Sequence, residues 1–121
     1  MVFCTTCRYS AAEKTAPDGR SGGETLIAHL HDVLREKGRA DVAIEIQACL
    51  WNCTRHCSAI LRDDRRFSYV TGGHAPERAQ AEAILAWFDL HGASATGEVP
   101  FRTWPEPMRG HFIARVPPVQ R

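Results

Sequence analysis

Residues 41–57 read DVAIEIQACLWNCTRHC. In the first half, Val42, Ile44 and Ile46 alternate with Ala43, Glu45 and Gln47, the period-two pattern of a half-buried strand over 41–48. That strand runs directly into Cys49, and Cys53 and Cys57 follow at equal spacing. A strand that ends in a thiol-rich loop is the feature around which the remaining elements fall into order.

Upstream, Val2-Phe3 is a short apolar strand leading into Cys4. Residues 8–22 hold Pro17, Asp18, Gly19 and Gly22 and read as a loop. From Gly23 to Lys37 the apolar residues Leu26, Ile27, Leu30, Val33 and Leu34 recur on one helical face, and Gly38 suits the stop. Downstream, 58–62 and 66–71 read as two strands joined through Asp63-Asp64-Arg65, closed by a turn at Gly72-Gly73. A second helix is predicted over 79–90, with Pro76 as its first residue and Gly92 ending it. The pair Gly22-Gly23 also reads as a turn. A strand–helix–strand crossover gives two parallel strands, and the hairpin and last helix complete an α/β, thioredoxin-like βαβ–ββα arrangement.

The chain has 121 residues, which suits a single domain. Residues 1–92, which hold every cysteine of the chain, are expected to form its thioredoxin-like part. From 93 to 121, Pro100, Pro105, Pro107, Pro117 and Pro118 interrupt regular structure, yet Phe101, Trp104, Met108, Phe112, Ile113 and Val116 are too apolar for a free tail. This stretch is predicted to be an extended C-terminal arm packed on the domain or on a second subunit. With 44% hydrophobic and 24% charged residues, the composition is that of a globular protein. Fifteen basic against 14 acidic side chains leave a net charge of +1, no electrostatic case for nucleic acid. No apolar run approaches the ~20 residues of a membrane helix, and no basic segment followed by an apolar one opens the chain. A cytoplasmic protein is expected.

The five cysteines, Cys4, Cys7, Cys49, Cys53 and Cys57, lie in two short clusters. In a reducing compartment, clustered thiols are metal ligands or redox groups more often than disulfides. On the predicted fold, Cys4 ends the first strand and Cys49 ends the second. Parallel strands bring both to one edge of the sheet, where sites in open α/β sheets form. Four thiolates suit a 2Fe–2S cluster or a structural zinc equally. The C-x3-C-x3-C spacing departs from paired C-x2-C zinc knuckles and weighs toward iron–sulfur. A buried cysteine also packs as a small hydrophobe, which is the plain reading of any one of them. A catalytic dithiol at Cys4 and Cys7 is a further reading; against it, Arg8 and Tyr9 lead into a loop where such a pair usually opens a helix.

Val2-Phe3-Cys4, Cys49-Leu-Trp-Asn-Cys53 and the strand pair ending Phe67-Ser-Tyr-Val70 resemble the thioredoxin-like 2Fe–2S ferredoxins over roughly the first 90 residues. Cys4-Thr-Thr-Cys7-Arg8, Cys49 to Cys57 and the ending Phe112-Ile-Ala-Arg-Val-Pro-Pro118 resemble, over almost the whole chain, an uncharacterised bacterial family described as predicted metal-binding proteins. The ferredoxin resemblance implies ligand roles for Cys4, Cys49 and Cys53, and a homodimer. Its remaining ligand lies before the first helix, where this chain has no cysteine between 8 and 48; Cys7 is the nearest substitute and Cys57 its competitor. The closer family is similar to proteins encoded beside cobalamin-synthesis and cobalt-insertion genes, which implies a redox partner in a corrinoid reduction step.

His56 with Arg55, Arg62, Arg65 and Arg66 reads as a solvated basic rim or as a docking surface for an acidic redox partner, with Asp63 and Asp64 partly cancelling it. Trp51 reads as packing or as a shield over the site. Trp87 and Phe88 read as helix core, and His29 and His31 as solvated. No phosphate loop and no Ser/His/Asp spacing is present, so an electron carrier is expected rather than an enzyme. A zinc-stabilised interaction module, a thiol oxidoreductase using Cys4 and Cys7, and a metal-delivery protein releasing iron or cobalt stand as alternatives.

Overall fold

The computed structural model describes residues 1–5, 15–47 and 57–118. In chain order the elements are β1 (Val2–Cys4), α1 (Gly22–Glu36), β2 (Glu45–Gln47), β3 (Ala59–Leu61), β4 (Ser68–Thr71), α2 (Arg78–Ala93) and β5 (Phe112–Val116). Two 3-10 turns, Phe101–Thr103 and Glu106–Met108, lie between α2 and β5. The sheet order is β2-β1-β3-β4-β5. β1 and β2 are parallel, as the crossover through α1 requires, and every other neighbouring pair is antiparallel. This is the thioredoxin-like α/β order with a fifth strand added at one edge.

α1 begins where Ser21 caps it. Ser21 Oγ accepts the Glu24 N–H at 3.1 Å, and Glu24 returns a carboxylate oxygen to the Ser21 N–H at 3.1 Å. The pair Gly22-Gly23 is thus the first turn of the helix and not a separate turn. Leu26, Leu30, Val33 and Leu34 face inward and meet Phe3, Leu61, Tyr69, Ile84, Leu85 and Trp87 in one core cluster. Burial of each of these large side chains contributes about 1.5–3 kcal/mol.

α2 runs Arg78–Ala93 with Glu77 at its cap, so Pro76 precedes the helix and Gly92 lies inside its last turn. Arg66 sets that end: its guanidinium donates to the carbonyls of His91, Gly92 and Ser94 at 2.9–3.2 Å. A cation that satisfies the last carbonyls extends the helix past the glycine. The same contact draws Arg66 and Phe67 out of β4, which therefore starts at Ser68; the Phe67 N–H bonds the Thr96 carbonyl at 2.9 Å instead.

The expected half-buried strand over 41–48 is a shorter edge strand. Among the described residues only 45–47 pair, all three are exposed, and Ile46 keeps 53% of its surface in solvent. Edge position explains it: β2 has β1 on one side and, among the described residues, no strand on the other. The segment after α2 also differs from a simple extended arm. Its last part, Phe112–Val116, pairs with β4 as β5, through an irregularity at Val70/Thr71. Val99, Trp104 and Met108 are buried against the same core cluster.

Candidate functional site

The register decides which thiol-bearing segments meet. Cys4 pairs with Gln47 across the parallel strands, and the Thr5 N–H bonds the Gln47 carbonyl at 2.9 Å. Cys49 follows Gln47 by two residues in the sequence. On the other side of β1, Phe3 pairs with Ala59, and Cys57 precedes Ala59 by two residues. The chain therefore leaves β2 beside Cys4 and re-enters β3 beside Cys4, on one rim of the sheet. Cys4 is 4% exposed and Cys57 1%, and both belong to the core cluster. Cys7, Cys49, Cys53, Trp51, Arg55 and His56 lie outside the described residues. Among the described residues, no three His, Cys, Asp or Glu side chains are grouped to hold a metal ion.

Two local features mark this rim. First, α1 starts hard against it. A Cβ at Gly23 would stand 1.8 Å from the Cys4 carbonyl oxygen, so only glycine lets the helix approach. Ser21 Oγ reaches back to the Thr5 carbonyl. The positive end of the α1 dipole is thereby set beside Cys4, although 17 residues separate Cys4 from Gly22 in sequence. Second, Cys57 has φ 60°, and among the described residues it is the one non-glycine with a positive φ. An L-residue there costs about 1–2 kcal/mol, which glycine would avoid.

Composition and spacing gave no sign of a buried polar relay beside this rim. Thr71 Oγ1 donates to the Ala59 carbonyl at 2.7 Å and so accepts from His74 Nε2–H at 2.7 Å. That fixes the tautomer, because His74 Nδ1 then accepts from Gln80 Nε2 at 2.8 Å. Gln80 also donates to the Pro107 carbonyl at 2.9 Å. His111 stacks on His74 with centroids 4.7 Å apart and bonds the Gly72 carbonyl at 3.0 Å. The relay ties the end of β4 to α2 and to the turn before β5. The residue types involved are common, and only the fold brings them together.

Residues 1–118 match the model of a family described as a protein of unknown function, DUF1636. The chain belongs to the DUF1636 family. No curated protein and no solved structure matches it.

In this DUF1636 chain the described residues of the expected basic rim lie elsewhere: β3 starts at Ala59 beside Phe3 and runs back past Val2, so Arg62, Arg65 and Arg66 follow it at the end of the sheet away from Cys4. Arg62 pairs with Glu45 across the sheet edge. Arg66 is bound to Asp63 at 2.8 Å as well as to the end of α2. Asp63 takes the N–H groups of Arg65 and Arg66, and these bonds, with the Arg66 guanidinium, hold its carboxyl below the usual range. Trp87 is fully buried and Phe88 half-buried; His31 is exposed and His29 half-buried. No helix among the described residues is long and apolar enough to cross a membrane.

Proposed function

We propose that this protein is a single-electron carrier that holds one 2Fe–2S cluster on thiolates at the β1–β2–β3 rim. The observation that carries the reading is Cys57: a fully buried thiol kept in a left-handed conformation, on the rim where Cys4 ends β1. Strain retained at a cysteine where glycine would relieve it points to a use for the sulfur. We therefore assign Cys57, with Cys4, Cys49 and Cys53, to the ligand set and leave Cys7 as the spare thiol.

The residues present fit such a group. Their donors are thiolates, and the two described ones are shielded from water, which suits a cluster of soft iron and sulfide. A bound 2Fe–2S cluster supplies a one-electron couple. The chain's own part is to hold and tune. Burial of Cys4 and Cys57 lowers the local dielectric, and the α1 N-terminus favours net negative charge beside Cys4. The resemblance to a family similar to proteins encoded beside cobalamin-synthesis and cobalt-insertion genes makes a corrinoid-reducing enzyme the proposed partner, met in the cytoplasm.

Anaerobic purification followed by iron, sulfide and zinc analysis tests this. Iron and acid-labile sulfide in equal amounts, with visible bands that bleach with dithionite, are the expected result. Zinc alone would turn the site into a structural one. A colourless, metal-free protein that cycles a disulfide would make it a thiol oxidoreductase.

A further inference from the structure

A groove of about 510 Å³ opens on the opposite side of the sheet from β2, between β5 and the segment from Glu98 to Trp104. Its volume lies in the range of small-molecule sites. Tyr69, Val99 and Trp104 are buried and form its floor. Phe101 and Phe112, exposed by 61% and 43%, are its lips. Two such rings left in water on either side of one concavity are costly to the free protein and available to a ligand.

The floor is rigid. Tyr69 Oη accepts the Val99 N–H at 3.0 Å, and Trp104 Nε1 donates to the Val99 carbonyl at 2.8 Å. Trp104 meets Tyr69, Phe101 and Phe112 with centroids 5.6–6.2 Å apart. The segment from 98 to 116 carries three arginines, Arg102, Arg109 and Arg115, against two carboxylates, Glu98 and Glu106. The Arg109 guanidinium lies over Phe101 at 5.2 Å, and that of Arg115 over Phe67 at 4.6 Å. Their acidic partners are loosely held: Arg109 to Glu106 at 3.8 Å and Arg115 to Glu98 at 3.5 Å. A cationic ligand would meet guanidinium groups already placed on and beside the aromatic lips. An anionic one would find Arg115 in the groove wall with a long, exchangeable ion pair.

We propose that this groove binds a planar aromatic ring system bearing one carboxylate, with the ring on the floor between Phe101 and Phe112 and the carboxylate on Arg115 in place of Glu98. The site is independent of the thiol rim and of any cluster.

The full-length protein is titrated with 2-naphthoate by calorimetry and ligand-observed NMR, beside 2-naphthalenemethanol and 2-naphthylmethylammonium. The acid is expected to bind with a dissociation constant of about 1 mM or tighter, and the alcohol and the ammonium more weakly. Arg115→Gln is expected to weaken the acid about tenfold and leave the alcohol unchanged. Glu98→Gln is expected to tighten the acid, because a competing carboxylate is gone. Phe112→Ser, at an exposed position, is expected to weaken all three. Equal binding of acid and alcohol, preference for the ammonium, or no response to Arg115→Gln would overturn the proposal. So would a concentration-dependent dimer dispersed by Phe101→Ser, which would make a second copy of the chain the occupant.

Discussion

Replacing Cys57 by glycine separates a ligand from a core residue. At φ 60° the cysteine bears about 1–2 kcal/mol of backbone strain that glycine releases. Against this, glycine gives up a buried methylene and thiol, about 1 kcal/mol, and adds unfolded-state freedom of about 0.5–1 kcal/mol. The terms nearly cancel, so the cluster-free Cys57→Gly protein is expected to melt within about 5 °C of the wild type. Cys57→Ala keeps the strain and loses the sulfur but escapes the entropy and methylene terms, so it is expected to lie within about 1 kcal/mol of Cys57→Gly. Both variants, purified without oxygen, are expected to lose iron, sulfide and the visible bands. Metal-free thermal melts and iron–sulfide analysis on the same preparations provide the two readouts. Wild-type iron and sulfide in Cys57→Gly, with the small stability change, would make Cys57 a packing residue and return the fourth position to Cys7.

Cys49→Ser and Cys53→Ser are expected to abolish iron and sulfide binding, whereas Cys7→Ser keeps both; visible spectra of the three variants check this. Thr71→Val leaves His74 Nε2–H without its acceptor and is expected to cost about 1–3 kcal/mol, read by urea denaturation. Asp63 has a folded-state pKa held below its unfolded value, so its contribution is present above the unfolded pKa and is lost as pH falls through the folded one. Asp63→Asn is therefore expected to lower stability near neutral pH and to flatten its acid limb below about pH 4, seen in melts across that range. Removing residues 94–121 strips Val99, Trp104 and Met108 from the core and is expected to cost about 5 kcal/mol or more, so cooperative melting is lost; an unchanged melting temperature would show that the segment is dispensable.

Local pattern was enough where an element's own residues determine it. The apolar face of α1, the stop at Gly38 with its φ of 65°, and the run of β1, β2 and β3 into and out of the thiol segments were all legible. What the sequence hid depends on distant partners. The end of α2 lies beyond Gly92 because Arg66, 26 residues earlier, supplies the missing donors. β2 is exposed because of its place in the sheet, which alternation alone does not report. β5 lies between prolines and looked irregular, yet β4 offers its ladder a partner. The meeting of Cys4 with the end of β2 was legible because parallel β1 and β2 must end together; Cys49 and Cys53 lie outside the described residues. The left-handed Cys57 was not legible, since nothing in C-x3-C announces a backbone dihedral. The aromatic floor under Trp104 was likewise invisible, because Tyr69 and Val99 are 30 residues apart.

The sheet explains how the two proposed sites fit on one small chain. From β1 to β5 there are three strand spacings, about 14 Å. The rim beside β1 is a product of the crossover: it exists because the chain turns out of β1 and β2 at one end and comes back into β3 there. The groove beside β5 is a product of the addition: without the fifth strand and the two 3-10 turns, Tyr69 would face solvent and no concavity would form. Truncation before residue 94 would then erase the groove directly, and the rim only through loss of the core. Point changes at Arg115 or Glu98 reach neither β1 nor Cys57. A ligand effect that follows these two residues while iron content stays constant would establish the groove as a separate device. A simultaneous change in both would point to transmission through the core cluster that holds Cys4 and Cys57 together with Tyr69, Val99 and Trp104, or through the relay from Thr71 and His74 to the turn that precedes β5.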